Sequence, residues 1–366
     1  MSNVYMQFSN CIPVKGFNRT AIYDLQRYRY ILTSNFFYDL LIENKNKLLI
    51  DNIEPDLKDY LDELIEDEWG LIINKETADI FPSFNLQWDH YSTITNSQID
   101  FYNDEKYISD FFGIVVPQLE ELTCKHIQVN FLQVFSYNET ISFLSQFDDT
   151  NIESVIVHMP YVSFSMEQIQ QLFEVQPRLM SVVMYDSPKN LKNPNPEVKL
   201  FYTEENISVR NKTTIYSQYF ALNIPTFTES QKHNTYYNRK LCIDAFGNIK
   251  NDPEHERSFG NIKNNTLKEA INSNGFKDFW FIHKEMIDVC KECEFKHMCV
   301  DASIPLKRDN NTWFRSTECN YNPYISKWEN EEGYKTLKEC GVEVNEQSFK
   351  IDLQQLMEIN TELWNE

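Results

Sequence analysis

Four cysteines near the C-terminal end carry the most specific chemistry in this 366-residue chain. Three lie in the run Cys290-Lys291-Glu292-Cys293-Glu294-Phe295-Lys296-His297-Met298-Cys299, and Cys319 follows twenty positions later. A Cys-x2-Cys pair puts two thiolates on one tight turn, facing the same point. A third sulfur six residues on, and a fourth from a returning segment, can complete a tetrahedron. That set suits a zinc ion or an iron–sulfur cluster. Zinc ribbons pair two short knuckles, and only one Cys-x2-Cys is present. His297, inside the loop, reads as a neighbour of the ligands rather than a ligand. Cys242 and Cys340 read as buried or spare thiols. His126 and His158 fall on or near strands and read as core or pocket side chains. There is no nucleophile–base pair and no H-E-x-x-H, so no catalytic residue is named.

The elements that must position these sulfurs come from a globular composition, with 42% hydrophobic and 14% aromatic residues. Glycine is scarce, at 8, and neither G-x-G-x-x-G nor a Walker loop occurs, which argues against a phosphate cradle. The formal charge of −21 disfavours nucleic acid as a partner. Acidic residues such as Asp59, Glu63, Glu66 and Asp67 read as a solvated face. The start, Met1-Ser2-Asn3-Val4-Tyr5, lacks a basic region followed by an apolar run, and no apolar stretch is long enough to cross a bilayer. The expectation is a cytoplasmic protein without membrane partners, whose reduced, clustered cysteines bind metal.

Residues 1–75 read as a small α/β module. Tyr5–Phe8, Thr20–Tyr23 and Tyr28–Leu32 have strand character, with Pro13 and Gly16 in the first connection. Ser34 is placed to cap a helix carrying Phe36, Phe37, Leu40 and Leu41. A second helix after Pro55 carries Leu57, Tyr60, Leu61, Leu64 and Ile65 at helical spacing, with Gly70 as its stop and Leu71–Ile73 as a wing strand. This predicts a winged-helix-like module. From 76 to 225 strands at 128–132, 155–159 and 180–184 alternate with helices at 139–147 and 165–173, a rhythm that predicts parallel strands with crossover helices. Thr213–Tyr216 is a further strand candidate. From 226 to 330 a hairpin at Phe246-Gly247-Asn248, a second turn at Phe259–Ile262 and a helix at 267–276 lead to the cysteine run. The tail, 331–366, ends in a helix with Leu353, Leu356, Met357, Leu363 and Trp364 on one face, expected to dock on the body.

The set Cys242, Gly247, Cys290, Cys293, Cys299 and Cys319 resembles the SPASM domain of radical-SAM peptide maturases, which follows a partial (β/α) barrel and carries auxiliary 4Fe–4S clusters. The resemblance implies that Cys290, Cys293, Cys299 and Cys319 hold the second auxiliary cluster. It also implies that the first is lost. No cysteine follows Gly247 closely, and Ser303 stands four positions after Cys299. The Cys-x3-Cys-x2-Cys that would hold the S-adenosylmethionine-cleaving cluster is absent; only Cys11 and Cys124 precede Cys242. The combination resembles the SPASM-domain maturase-like proteins of grasp-with-spasm systems. Matching phrases are Asn10–Gly16, Cys124–Gln128, Cys293–Phe295 and Asn320–Tyr324. That resemblance implies an α/β architecture of winged-helix-like module, partial (β/α) barrel and SPASM-like metal-binding domain. The implied role is accessory, with a precursor peptide and an ATP-grasp ligase as partners. By the same resemblance a leader peptide would add beside the third strand, on Tyr28, Tyr30 and Leu32 with Leu57, Tyr60 and Leu61. Two other functions are compatible with the residues: a cluster-dependent redox enzyme acting on the peptide, and a zinc-stapled interaction protein.

Overall fold

The computed structural model describes residues 2–51, 53–188, 190–192, 199–206, 220–315 and 319–364, so the strand candidate at 213–216 lies outside the described residues. The chain divides into two compact units, each assembled from separated segments. The first takes Met1–Asp89, Lys212–Tyr236 and Phe281–Glu366, and the second His90–Asn211 and Tyr237–Trp280. The stretch 226–330, which the spacing groups together, is thus shared between the units.

The N-terminal segment of the first unit contains six strands rather than three and a wing. They are β1 Asn3–Gln7, β2 Cys11–Lys15, β3 Thr20–Asp24, β4 Arg29–Thr33, β5 Lys47–Leu49 and β6 Gly70–Asn74. They form two antiparallel sheets, ordered β5-β1-β6 and β2-β3-β4. Pro13, expected in a connection, sits inside β2 opposite Ile22. An edge strand tolerates this, because a missing N–H there breaks no inner ladder. Two helices separate the strands, α1 Asn35–Glu43 and α2 Pro55–Glu66, and α3 Lys75–Ala78 follows β6. Ser34 caps α1, accepting from Phe37 N at 3.2 Å. Pro55 opens α2, where its absent N–H costs nothing. Gly70 is not the helix stop. The helix ends at Asp67, Glu68 turns left-handed at φ +58°, and Gly70 instead lets β6 approach β1. A Cβ there would lie 2.6 Å from the Met6 carbonyl.

The second unit begins with β7 Asn96–Phe101, a strand hidden from sequence reading by its polar Gln98 and Asp100. α4 Glu105–Asp110 runs through a π-helical turn, Phe111–Val115, into α5 Val116–Glu121. Pro117 removes one helical N–H there, which accounts for the widened turn. Then come β8 His126–Phe131, α6 Tyr137–Ser145, β9 Ser154–Pro160, α7 Met166–Val175, β10 Leu179–Tyr185, β11 Leu191–Lys192 and β12 Leu200–Tyr202. Capping boxes at Ser136/Glu139 and Ser165/Gln168 fix the starts of α6 and α7. α8 Ile224–Ser230 belongs to the first unit. β13 Lys240–Ile243 returns to the second, pairing in parallel with β7, and turns at Gly247 (φ +85°) into β14 Ile249–Lys250, with α9 Leu267–Asn272 beyond. The sheet order is β11-β12-β10-β9-β8-β7-β13-β14, parallel except for its two outer strands. Crossover helices α6 and α7 supply the parallel links. Phe143 of α6 lies 5.0 Å, ring to ring, from both Phe101 and Phe131 at the centre of the core.

The first unit resumes with β15 Pro305–Lys307 and β16 Trp313–Arg315, two short hairpins, and α10 Leu353–Trp364. The buried face of α10 is Leu356 and Ile359 with half-buried Leu363; Leu353 and Met357 face outward, contrary to the expected stripe. Trp364 is partly exposed but donates Nε1–H to Ile325 O at 3.2 Å. Among the described residues no helix is long and apolar enough to cross a membrane.

Two substitutions test this packing by denaturant unfolding. Phe143→Ala is expected to cost about 3–5 kcal/mol by leaving a cavity among rings. Gly70→Ala is expected to cost about 1–3 kcal/mol, because β6 must move off β1. Loss of less than half of either lower figure would contradict the packing described.

Candidate metal centre

Cys290 opens a 3-10 turn, Cys290–Glu292, entered through Val289 at φ +70°, ψ −52°. A β-branched residue seldom adopts that conformation, and holding it costs about 1–3 kcal/mol. The strain reverses the chain just before the first sulfur. Cys293 follows the turn, and a second turn carries Cys299, whose N–H bonds Phe295 O at 3.0 Å. Cys299 also bridges to Phe220. Cys319 precedes the hairpin strand Tyr321–Asn322. All four sulfurs line one cavity of about 180 Å³, together with Lys284, Asp288, Lys296 and Arg315. Each of Cys293, Cys299 and Cys319 lies within electrostatic reach of others in the set.

The loop is anchored by a carboxylate that sequence reading missed. Glu294, between two ring-packed turns, has no exposed side-chain surface. It accepts from Arg19 Nε at 2.6 Å and from the Tyr321 hydroxyl at 2.5 Å. Its backbone carbonyl accepts from the Tyr23 hydroxyl at 2.5 Å. The β2–β3 turn lies directly on it. Phe17 N donates to Glu292 O at 2.7 Å, and Lys296 Nζ to Lys15 O at 3.1 Å. At Gly16 a Cβ would come within 2.8 Å of Glu294 N. Phe295 packs its ring against Tyr30, Phe220, Tyr321 and Trp328.

Burial pushes the Cys299 thiol up to about 12, with Lys284 opposing, and pushes Cys293 well above its ordinary value. Cys319 is likewise raised by burial, with Arg315 and the Tyr321 N–H opposing. Such thiols ionise when a metal takes the place of their protons. Burial works against the thiolates, and a few neighbouring groups work the other way. Phe295 N–H points at Cys293 Sγ at 3.4 Å. Lys284, nearly buried, pairs with Asp301 at 2.7 Å, and Arg315 Nε lies 3.4 Å from the same carboxylate. Ser303, where the SPASM pattern has a cysteine, donates its hydroxyl to Asp301 at 2.8 Å instead. Arg315 Nε and Nη2 are buried without a hydrogen-bond partner among the described residues. Donor set, cationic lining and orphaned N–H groups all fit an anionic metal–thiolate group. Among the described residues no three His, Cys, Asp or Glu side chains are arranged to hold a metal ion.

The other candidate residues separate. His297 is buried, with Nδ1 2.9 Å from Ser230 Oγ and Nε2 3.5 Å from Glu285. Cys242 is buried in the second unit and bonds Asn251 O; Cys340 is buried beneath Asn322. His126 is exposed and bonds Ser154. His158 lies opposite Asn130 in the sheet register, and Asn130 Nδ2 donates to Asp100 at 2.6 Å, making a polar row across β7, β8 and β9. Of the six residues assigned to peptide contact, Leu32, Leu57 and Tyr60 line one open groove with Phe36. Tyr30 packs on Phe295 instead, and Leu61 is 2% exposed, in the core. Tyr28 is 71% exposed, in the β3–β4 turn. Arg19, Lys284, Asp301 and Arg315 carried no periodic or motif signal; only their nearness to cysteines in three dimensions marks them.

Residues 239–294 match the SPASM family, described as an iron–sulfur cluster-binding domain; this span includes Cys242, Cys290 and Cys293 but stops short of Cys299 and Cys319. No curated protein matches the chain. Among solved structures, SuiB of Streptococcus suis bound to S-adenosylmethionine is similar at 10% identity and a TM-score of 0.27, over 81% of this chain and 94% of that one. A second SuiB structure from the same organism is 12% identical with a TM-score of 0.24, over 80% and 94%.

Proposed function

We propose that this chain is an accessory protein of ribosomal peptide modification, of the SPASM-domain maturase-like kind that accompanies ATP-grasp ligases. It works in the cytoplasm, without a radical-generating cluster. On this reading Cys290, Cys293, Cys299 and Cys319 hold one 4Fe–4S cluster. The observation that carries it is the convergence of these four sulfurs on one cationic cavity, next to a span matching an iron–sulfur cluster-binding family. Four protein thiolates would leave no iron open to substrate, so the group supplies electron transfer or bracing. The rest falls to the chain's own side chains. Glu294 and Arg19 fix the loop, Phe295 excludes water beside Cys293, and the Lys284–Asp301–Arg315 group balances charge.

The precursor peptide is assigned to the groove of Leu32, Phe36, Leu57 and Tyr60, of about 500 Å³. β4 is an outer strand of its sheet, so its free edge is available for strand addition. Leu32 and Phe36 are 41% and 69% exposed, which leaves apolar area to bury. The winged-helix kinship of residues 1–75 and the ATP-grasp partner rest on the grasp-with-spasm resemblance.

Anaerobic reconstitution of the full chain is expected to bind about four iron and four sulfide. Cys293→Ser and Cys319→Ser are expected to abolish this, and Cys242→Ser and Cys340→Ser to leave it unchanged. One tightly held zinc with no iron would sink the cluster and favour a zinc-stapled interaction protein. Co-expression of the tagged chain with its genomic neighbours is expected to retain the precursor peptide and the ligase. The double variant Leu32→Asp/Leu57→Asp is expected to weaken peptide retention at least about tenfold, since two apolar contacts are each worth about 1.5–3 kcal/mol when buried. If neither partner is retained, the accessory role is refuted.

A further inference from the structure

We infer that Arg315 is a positioning residue for the metal centre: its unpartnered N–H groups point charge and hydrogen bonds at the sulfur cage and raise its reduction potential. The inference rests on the cluster reading above. Arg315 ends β16, where it pairs with Pro305 of β15, so its backbone is fixed. Its side chain is 8% exposed and lines the four-sulfur cavity. Nε and Nη2 have no hydrogen-bond partner among the described residues. The nearest carboxylate is already engaged. Asp301 receives Lys284 Nζ at 2.7 Å, and its two oxygens accept from Ser303 N at 2.9 Å and Ser303 Oγ at 2.8 Å. Arg315 reaches it only through Nε at 3.4 Å, outside hydrogen-bonding geometry.

A buried guanidinium matched this poorly is expensive unless an anion faces it. Four thiolates around a 4Fe–4S core provide one, with net charge −2 when oxidised. One-electron reduction by an external donor such as dithionite takes the group to −3. A fixed cation and N–H donors stabilise the more negative form more, so they raise the potential. Asp301 acts oppositely, since it partly cancels Lys284 and Arg315.

The test is a redox titration of the anaerobically reconstituted full chain, followed by electron paramagnetic resonance, with iron counted in each sample. Arg315→Met is expected to keep its iron and to shift the midpoint potential negative. Arg315→Lys is expected to recover part of that shift. Asp301→Asn is expected to shift the potential positive. Fully loaded Arg315→Met and Asp301→Asn proteins that titrate with the wild type would overturn the inference and leave the cluster reading intact. Wild-type protein that takes up no iron would overturn both. If Arg315→Met does not retain iron, iron-loaded Arg315→Lys decides: a midpoint below that of the wild type supports the role of Arg315, and an unchanged or higher one refutes it.

Discussion

The buried contact among Glu294, Arg19 and Tyr321 is the constraint on which the first unit depends. A carboxylate with no exposed surface is costly unless a cation and hydrogen bonds meet it. Arg19 comes from the β2–β3 turn and Tyr321 from the hairpin after Cys319, so two distant segments must close on the cysteine loop before Oε1 of Glu294 is paired. Gly16 makes the approach feasible, since the turn passes where any Cβ would strike the loop backbone. The cysteine loop is therefore an inner part of the unit that also contains the N-terminal sheets. This explains why that unit draws on three separated stretches of chain.

Global and local electrostatics point in opposite directions. The chain as a whole carries −21, yet Lys284, Lys296 and Arg315 line the sulfur cavity, with Asp288 the only carboxylate lining it among the described residues. Distance decides which matters. A pair of charges about 4 Å apart interacts by about 4 kcal/mol at an effective dielectric of 20, whereas surface carboxylates beyond about 8 Å are screened by physiological salt. The acidic exterior governs solubility and partners, and the cationic lining governs what the thiols hold.

Much of the centre was legible in advance because its signal is local. Cys290, Cys293 and Cys299 sit within ten residues, and cysteine has few other reasons to cluster in a reduced protein. Two helices announced themselves through Ser34 and Pro55, each acting within one turn. What stayed hidden depends on partners far away in sequence. β7 was not singled out, because Gln98 and Asp100 face a polar row completed by Asn130 and His158. Pro13 looked like a break because nothing nearby says that β2 is an edge. Gly70 looked like a helix stop, though its reason is the backbone of β1. The stripe on α10 included Leu353 and Met357, but periodicity names a face without saying which half of it meets the body. Glu294 and Arg315 were ordinary charges until the fold removed their water.

The placement of Tyr30 ties the two proposed activities together. Side chains alternate along a strand, so Tyr30 and Leu32 share one face of β4, while Ile31 turns to the core beneath α1 and α2. Tyr30 spends that face on Phe295, two residues after Cys293, with ring centroids 5.6 Å apart. The free edge of β4 is thus braced from the cysteine loop, not only from its own sheet. On the proposed reading, four metal–sulfur bonds would order the loop and hold Phe295 still, and Phe295 holds the strand to which a peptide would add. On that geometry the metal need not touch the peptide to matter for it. A static edge loses less conformational entropy when an extended chain pairs with it, and the cluster can serve recognition by keeping that edge in register.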